Sequence, residues 1–190
     1  MIRNLPFRAA LCATFLAVGG AFANALDGVL AVRSAYVNVD HGVFKLHAHV
    51  QYPESDDIRA ALDDGVTMMF DIEVVIARER RYWFDASVVS VARRRELSYH
   101  TVSNRYVVRD STGDAPQESY ATLHEALEAI GTVDDWPVLV EPQLEPDARY
   151  RVSVRASVRR GRLPDTLRVL MFWTDSWHRT SEWYSWSLPV

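Results

Sequence analysis

Between Val66 and Ile76 every second residue is apolar: Val66, Met68, Phe70, Ile72, Val74 and Ile76. Successive side chains of a β-strand point to opposite faces, so this spacing gathers the apolar set on one side of an extended chain. The same pattern recurs in Tyr150, Val152, Val154, Ala156 and Val158, which alternate with Arg149, Arg151, Ser153, Arg155, Ser157 and Arg159. It recurs again in Phe44, Leu46, Ala48 and Val50 against Lys45, His47, His49 and Gln51. Strands with one apolar and one polar face are stable only when the apolar faces of antiparallel sheets are buried together.

The intervening residues supply the connections. Leu30 to Val39 and Gly42 to Tyr52 read as a hairpin across Asp40-His41-Gly42, where Asp and Gly tolerate the positive φ of a tight turn. Ser55 caps a short helix from Asp56 to Asp64 that Gly65 ends, and a second helix from Tyr120 to Ile130 is closed by Gly131. The charged runs Arg78 to Arg81 and Arg93 to Glu96 read as turns, so that the strand from Val66, a strand Tyr82 to Ala92 and a strand Leu97 to Arg109 form a meander. Asp110 to Glu118 reads as a loop, Trp136 to Glu141 as an edge strand beside Pro137 and Pro142, and Leu167 to Trp173 with Glu182 to Leu188 as closing strands. The expected fold is all-β: an antiparallel immunoglobulin-like β-sandwich with two short peripheral helices, with a partly open barrel as the alternative. Strands are not separated by regular helices, which disfavours a parallel dinucleotide-binding sheet.

The first residues have a different character. Arg3 and Arg8 precede an apolar run from Ala9 to Ala23, and Ala23-Asn24-Ala25 fits the small-x-small rule for a signal peptidase. The run is shorter than the roughly 20 residues of a membrane-spanning helix, so residues 1–25 are expected to be a cleavable signal peptide and 26–190 a single β-sandwich domain. The expected location is periplasmic or secreted. Cys12, the one cysteine of the 190 residues, lies inside the apolar run, so the mature domain has no disulfide and no thiolate site. Removal of Arg3 and Arg8 takes the formal charge from −4 to −6, which argues against nucleic acid as a partner. No second long apolar stretch follows, so no transmembrane segment is expected in the mature chain.

Three groups of residues have chemistry worth weighing against a purely structural role. His47 and His49 lie two apart on one strand face near His41, a spacing that suits two metal ligands but equally suits a solvated face. The stripe of Arg149, Arg151, Arg155 and Arg159 matches a phosphate, a carboxylate-bearing glycan or an acidic partner, whereas Asp71 and Glu73 on the central strand offer cross-strand ion pairs instead. Trp173, Trp177, Trp183, Tyr184 and Trp186 suit a stacking platform or a packed core, and Trp183 with Trp186 are the candidate contacts. Asp85 follows Tyr82-Trp83-Phe84, where burial would raise a carboxyl pKa. No nucleophile elbow and no phosphate-cradling glycine loop is present, so no catalytic residue, metal or cofactor is assigned.

Several segments taken together resemble a bacterial exported family, domain of unknown function 4390. They are Ala61-Leu62 with Gly65 and the long strand; Arg-Glu-Arg-Arg-Tyr-Trp-Phe-Asp from Arg78 to Asp85; and Leu97-Ser98-Tyr99-His100 with Asn104-Arg105-Tyr106. Leu123, Ala126-Leu127, Tyr150-Arg151-Val152, Leu163-Pro164 and Ser181-Glu182-Trp183-Tyr184-Ser185-Trp186 complete the set. The resemblance implies an exported domain without assigned activity and a link to a membrane sensor kinase of the nitrogen-regulation type. The expected function is a non-enzymatic binding or accessory module for an envelope protein partner. A metal-dependent envelope hydrolase built on His47 and His49, and a carbohydrate-binding module built on the tryptophans, are the alternatives.

Overall fold

The computed structural model of the protein describes residues 28–80, 86–111, 116–140, 143–145, 148–161 and 178–188. The expected signal peptide, Asp85, the strand from Leu167 and the residues Trp173 and Trp177 lie outside this set.

Strands β1 (Ala31–Asp40) and β2 (Val43–Gln51) form the first hairpin. His41 and Gly42 carry the positive φ values, 50° and 75°, so the turn is of the mirror-image kind with His41 in the place expected of Asp40. Helix α1 (Asp56–Asp63) begins where Ser55 Oγ accepts the Ile58 N–H, and its Ile58, Ala61 and Leu62 are buried. Strands β3 (Met68–Arg78), β4 (Ala86–His100), β5 (Arg105–Asp110) and β6 (Glu118–Tyr120) follow as an antiparallel meander. Helix α2 (Leu123–Gly131) is started by a reciprocal cap: Thr122 Oγ1 accepts the Glu125 N–H and Glu125 accepts the Thr122 N–H. Strands β7 (Thr132–Val140), β8 (Tyr150–Arg160), β9 (His178–Thr180) and β10 (Tyr184–Leu188) complete the described elements.

Two antiparallel sheets result. One has the order β1-β2-β7; the other has the order β10-β8-β3-β4-β5-β6, with β9 also on β8. Their inner faces share one core, in which Phe70, Ile72, Val74 and Ile76 of β3 and Val152, Val154, Ala156 and Val158 of β8 meet Leu46, Val50, Val133 and Leu139 of the smaller sheet. Each of these side chains larger than alanine contributes about 1.5–3 kcal/mol through its removal from water. Tyr150 stands at the entry to β8, fully buried, and its hydroxyl accepts the Glu145 N–H at 2.7 Å. Buried Tyr52 packs edge-on against Phe70, and burial raises its phenol pKa.

The run Arg93 to Glu96 is not a turn. It lies in the middle of β4, paired with β3 from Met68↔Leu97 to Arg78↔Ala86. Period two separates its arginines: Arg94 faces out to Asp71, while Arg93 and Arg95 face the inner side. Arg93 pairs with Asp110 at 3.3 Å, and Arg95 Nη1 donates to the Ala129 carbonyl at 2.6 Å. The last turn of α2 has no basic residue of its own, so Arg95 supplies the cation that a helix C-terminus favours. Desolvation lowers the Arg95 pKa, with the neighbouring Arg93 adding to the effect. Beside it, burial and a hydrogen bond to Glu118 push the Tyr120 phenol up to about 12.

Gly131 also has a different role from the one its position suggests. It is the final residue of α2, at ordinary φ, and a Cβ there would lie 2.0 Å from the Val50 carbonyl oxygen. Glycine is required because the helix end presses on β2. Gly131→Ala is therefore expected to destabilise the fold by about 2–3 kcal/mol, read as a lower urea midpoint. An unchanged midpoint would place α2 further from β2.

Candidate functional site

The outer face of the larger sheet carries the most organised set of polar side chains. Register places Asp71 of β3 between Arg94 of β4 and Ser157 of β8, and Glu73 between Ala92 and Arg155. Asp71 receives Arg94 Nε at 2.5 Å on one oxygen and Arg159 Nε at 3.3 Å on the other. Glu73 receives Arg155 Nη2 at 2.6 Å, and the Arg155 guanidinium lies 4.3 Å from the centre of the Trp183 ring. Further along β8, Arg151 donates to Glu79 through Nε at 3.0 Å and Nη2 at 2.7 Å. Small side chains sit between these groups, so Ser90, Ala92, Ser157 and Thr180 floor a depression of about 410 Å³.

The edge beyond β8 explains the exposure of Trp183. Ser181 is buried, donates its N–H to the Ala156 carbonyl at 2.8 Å, and accepts the Ala156 N–H on its hydroxyl at 3.0 Å. A side-chain oxygen thus replaces a main-chain acceptor, and the chain slips before pairing resumes at Tyr184↔Val154. Trp183 falls in this slip, 42% exposed, on the side of Arg155. Trp186 pairs with Val152, whose side chain is in the core, and packs against the core from the opposite face of the sheet. The two tryptophans therefore do not form one row, which is what a flat sugar-stacking platform needs. Tyr184 and Trp186 meet edge-on at 5.8 Å instead.

Of the expected arginine stripe, Arg151, Arg155 and Arg159 share this face, each against a carboxylate; Arg149 lies just before β8 and accepts the Glu79 N–H on its carbonyl. Arg94 and His178 also belong to the depression and were not singled out by the sequence. The odd-even position of Arg94 inside a charged run is the signal that identifies it.

The two histidines are divided between different partners. His47 packs flat on Tyr36, with ring centres 4.9 Å apart, and faces a bulge in β7 where Asp134 Oδ1 is 3.4 Å from Nδ1 and Asp135 Oδ1 is 3.8 Å from Nε2. Asp135 has φ 51°, a left-handed backbone that residues other than glycine adopt uncommonly, with aspartate, asparagine and histidine the most frequent among them. His49 approaches Glu128 of α2 at 3.7 Å. Among the described residues no group of three or more His, Cys, Asp or Glu side chains has the arrangement to hold a metal ion.

Two antiparallel sheets around a shared core, with paired charges on the outer face of the larger one, define an all-β domain. Residues 29–187 match the family described as domain of unknown function DUF4390, and the chain belongs to that family. No curated protein and no solved structure matches the chain. Among the described residues no helix is long and apolar enough to cross a membrane.

Asp71 is the node of the outer network, with its side chain only 15% exposed. Asp71→Asn leaves two guanidiniums without an anion and is expected to cost about 1–2 kcal/mol in urea unfolding, a difference that shrinks at high salt. A substitution without effect at low salt would show that the network is solvated rather than structural.

Proposed function

We propose that the protein is an exported, non-enzymatic binding module of the bacterial envelope, which engages a protein partner through the outer face of the β10-β8-β3-β4-β5-β6 sheet. The N-terminal segment supports export: two arginines, an apolar run and Ala23-Asn24-Ala25 follow the order of a cleavable signal. A membrane sensor kinase is the partner class that the family resemblance brings forward.

The finer fold reading is an immunoglobulin-like sandwich, and two features support it. The orders β1-β2-β7 and β10-β8-β3-β4-β5 follow the A-B-E and G-F-C-C′-C″ orders of the variable type. Tyr150, at the start of the strand equivalent to F, bonds through its hydroxyl to main chain five residues upstream, as the tyrosine corner of that fold does. The departures are β6, which joins the larger sheet, and a core without a disulfide.

One observation carries the functional reading: guanidiniums and carboxylates alternate over a floor of small side chains, beside an exposed tryptophan held by Arg155. Among the described residues there, Asp71, Glu73, Arg94, Arg155 and Arg159 are each paired with opposite charge, so the face does not concentrate one sign. A protein surface of matching alternation exchanges these pairs for its own, and Trp183 and Arg155 are residue types that dominate binding energy at interfaces.

Site-specific photo-cross-linking in living cells tests this. A photoreactive residue at Ser90 or Thr180, both exposed in the depression, is expected to capture the same envelope protein, while one at Asp63 on α1 does not. Arg155→Ala with Trp183→Ala is expected to abolish the capture without unfolding the domain. Identical products from Asp63, or none from either sheet position, would refute the assignment.

A further inference from the structure

The sheet edges of this fold are unequally protected. Strand β7 carries Pro137 and the Asp134–Asp135 bulge, β6 is three residues long, and β9 and β10 are short and interrupted at Ser181. Strand β1 has ten residues, neither proline nor lysine, and pairs with β2 alone among the described residues. Proline, lysine, bulges and brevity are the usual protections against edge pairing, and β1 has only the bulge near its start.

We propose that β1 pairs antiparallel with β1 of a second copy of this chain, about a two-fold axis at Val37, joining the two smaller sheets into one. The hydrogen-bond directions follow from the hairpin. In a two-residue turn the closing pair, here Asp40 and Val43, exchanges both of its hydrogen bonds, and bonding alternates from there. Asn38 and Tyr36 therefore bond to β2, while the main-chain groups of Val39, Val37 and Ala35 point away from it. Pairing Val37 with its own copy sets Ala35 against Val39 on either side, so every outward group finds a partner in about six hydrogen bonds.

Side-chain parity agrees with this register. Directly opposed residues in an antiparallel pair share a face, and Ala35 and Val37, with Val39 opposite buried Phe44, all belong to the inner face of β1. Val39 is 55% exposed in the single chain, and Ala35 of the second copy would cover it. Tyr36, 57% exposed on the outer face, would lie opposite Asn38 of the second copy.

Charge complementarity identifies the occupant as a second copy rather than an unrelated strand. The bulge between Val32 and Ser34 turns both Arg33 and Ser34 outward: Arg33 bonds to Gln51 and Ser34 lies opposite His49. Asp40 is on the same outer face, where it meets Lys45 at 2.8 Å. In the proposed register Asp40 of one copy lies opposite Ser34 and beside Arg33 of the other. The two-fold axis creates this contact twice, with no like charges opposed.

Sedimentation velocity on the purified exported protein, carried to high micromolar concentration, tests the pairing. A reversible monomer–dimer equilibrium is expected. Val37→Pro deletes an outward N–H, a site where an edge strand accepts proline, and is expected to give monomer with unchanged far-ultraviolet circular dichroism. Arg33→Asp and Asp40→Arg should each weaken the dimer on the order of tenfold, and the double reversal should restore it. The reversal pair decides the matter should the proline variant fail to fold. A protein that is monomeric at every concentration, or a dimer indifferent to both the proline and the charge reversals, would overturn the proposal.

Discussion

Strand β3 is hydrogen-bonded along its whole length on both sides, to β4 and to β8, and the remainder of the molecule is arranged around that strand. Its inner residues from Met68 to Ile76 are almost completely buried, and its outer Asp71 and Glu73 anchor the arginines of both neighbours. One period-two segment thus settles two things at once. It fills the centre of the core, and it places two carboxylates where β4 and β8 each bring guanidiniums. The register that buries Ile72 and Val74 is the register that aligns Asp71 with Arg94 and Glu73 with Arg155, so a one-residue slip would lose both sets of contacts.

Much of this was legible in the sequence because strand parity is a local property. The central strand, β2, β8, both short helices and the first hairpin follow from alternation and capping residues that lie within a few positions of one another. Residues whose placement depends on something distant are not legible in this way. The run Arg93 to Glu96 has the composition of a turn, but its charges find Asp71, Asp110 and the Ala129 carbonyl on two faces of a long strand. Gly131 has the position of a helix terminator, but its constraint is the Val50 carbonyl on another strand. Trp183 and Trp186 are close in sequence, yet Trp183 falls in the slip after Ser181, on the side of Arg155, while Trp186 faces the core.

The same reasoning separates the two sheets by chemistry. The smaller sheet keeps its histidines within local pairs, His47 against the β7 bulge and His49 against α2. The larger sheet presents a broad face of compensated charge on which Arg155 is held both by Glu73 and by the Trp183 ring. A guanidinium fixed on two sides gives up little conformational freedom when it meets a partner.

The keystone role of β3 is most directly tested by native-state amide hydrogen exchange. Amides from Phe70 to Ile76 should be the slowest in the molecule and should exchange only through global unfolding, with β1 and α2 opening at lower free energy. Faster exchange in β3 than in the β1–β2 hairpin or α2 would show that the fold is organised around some other element.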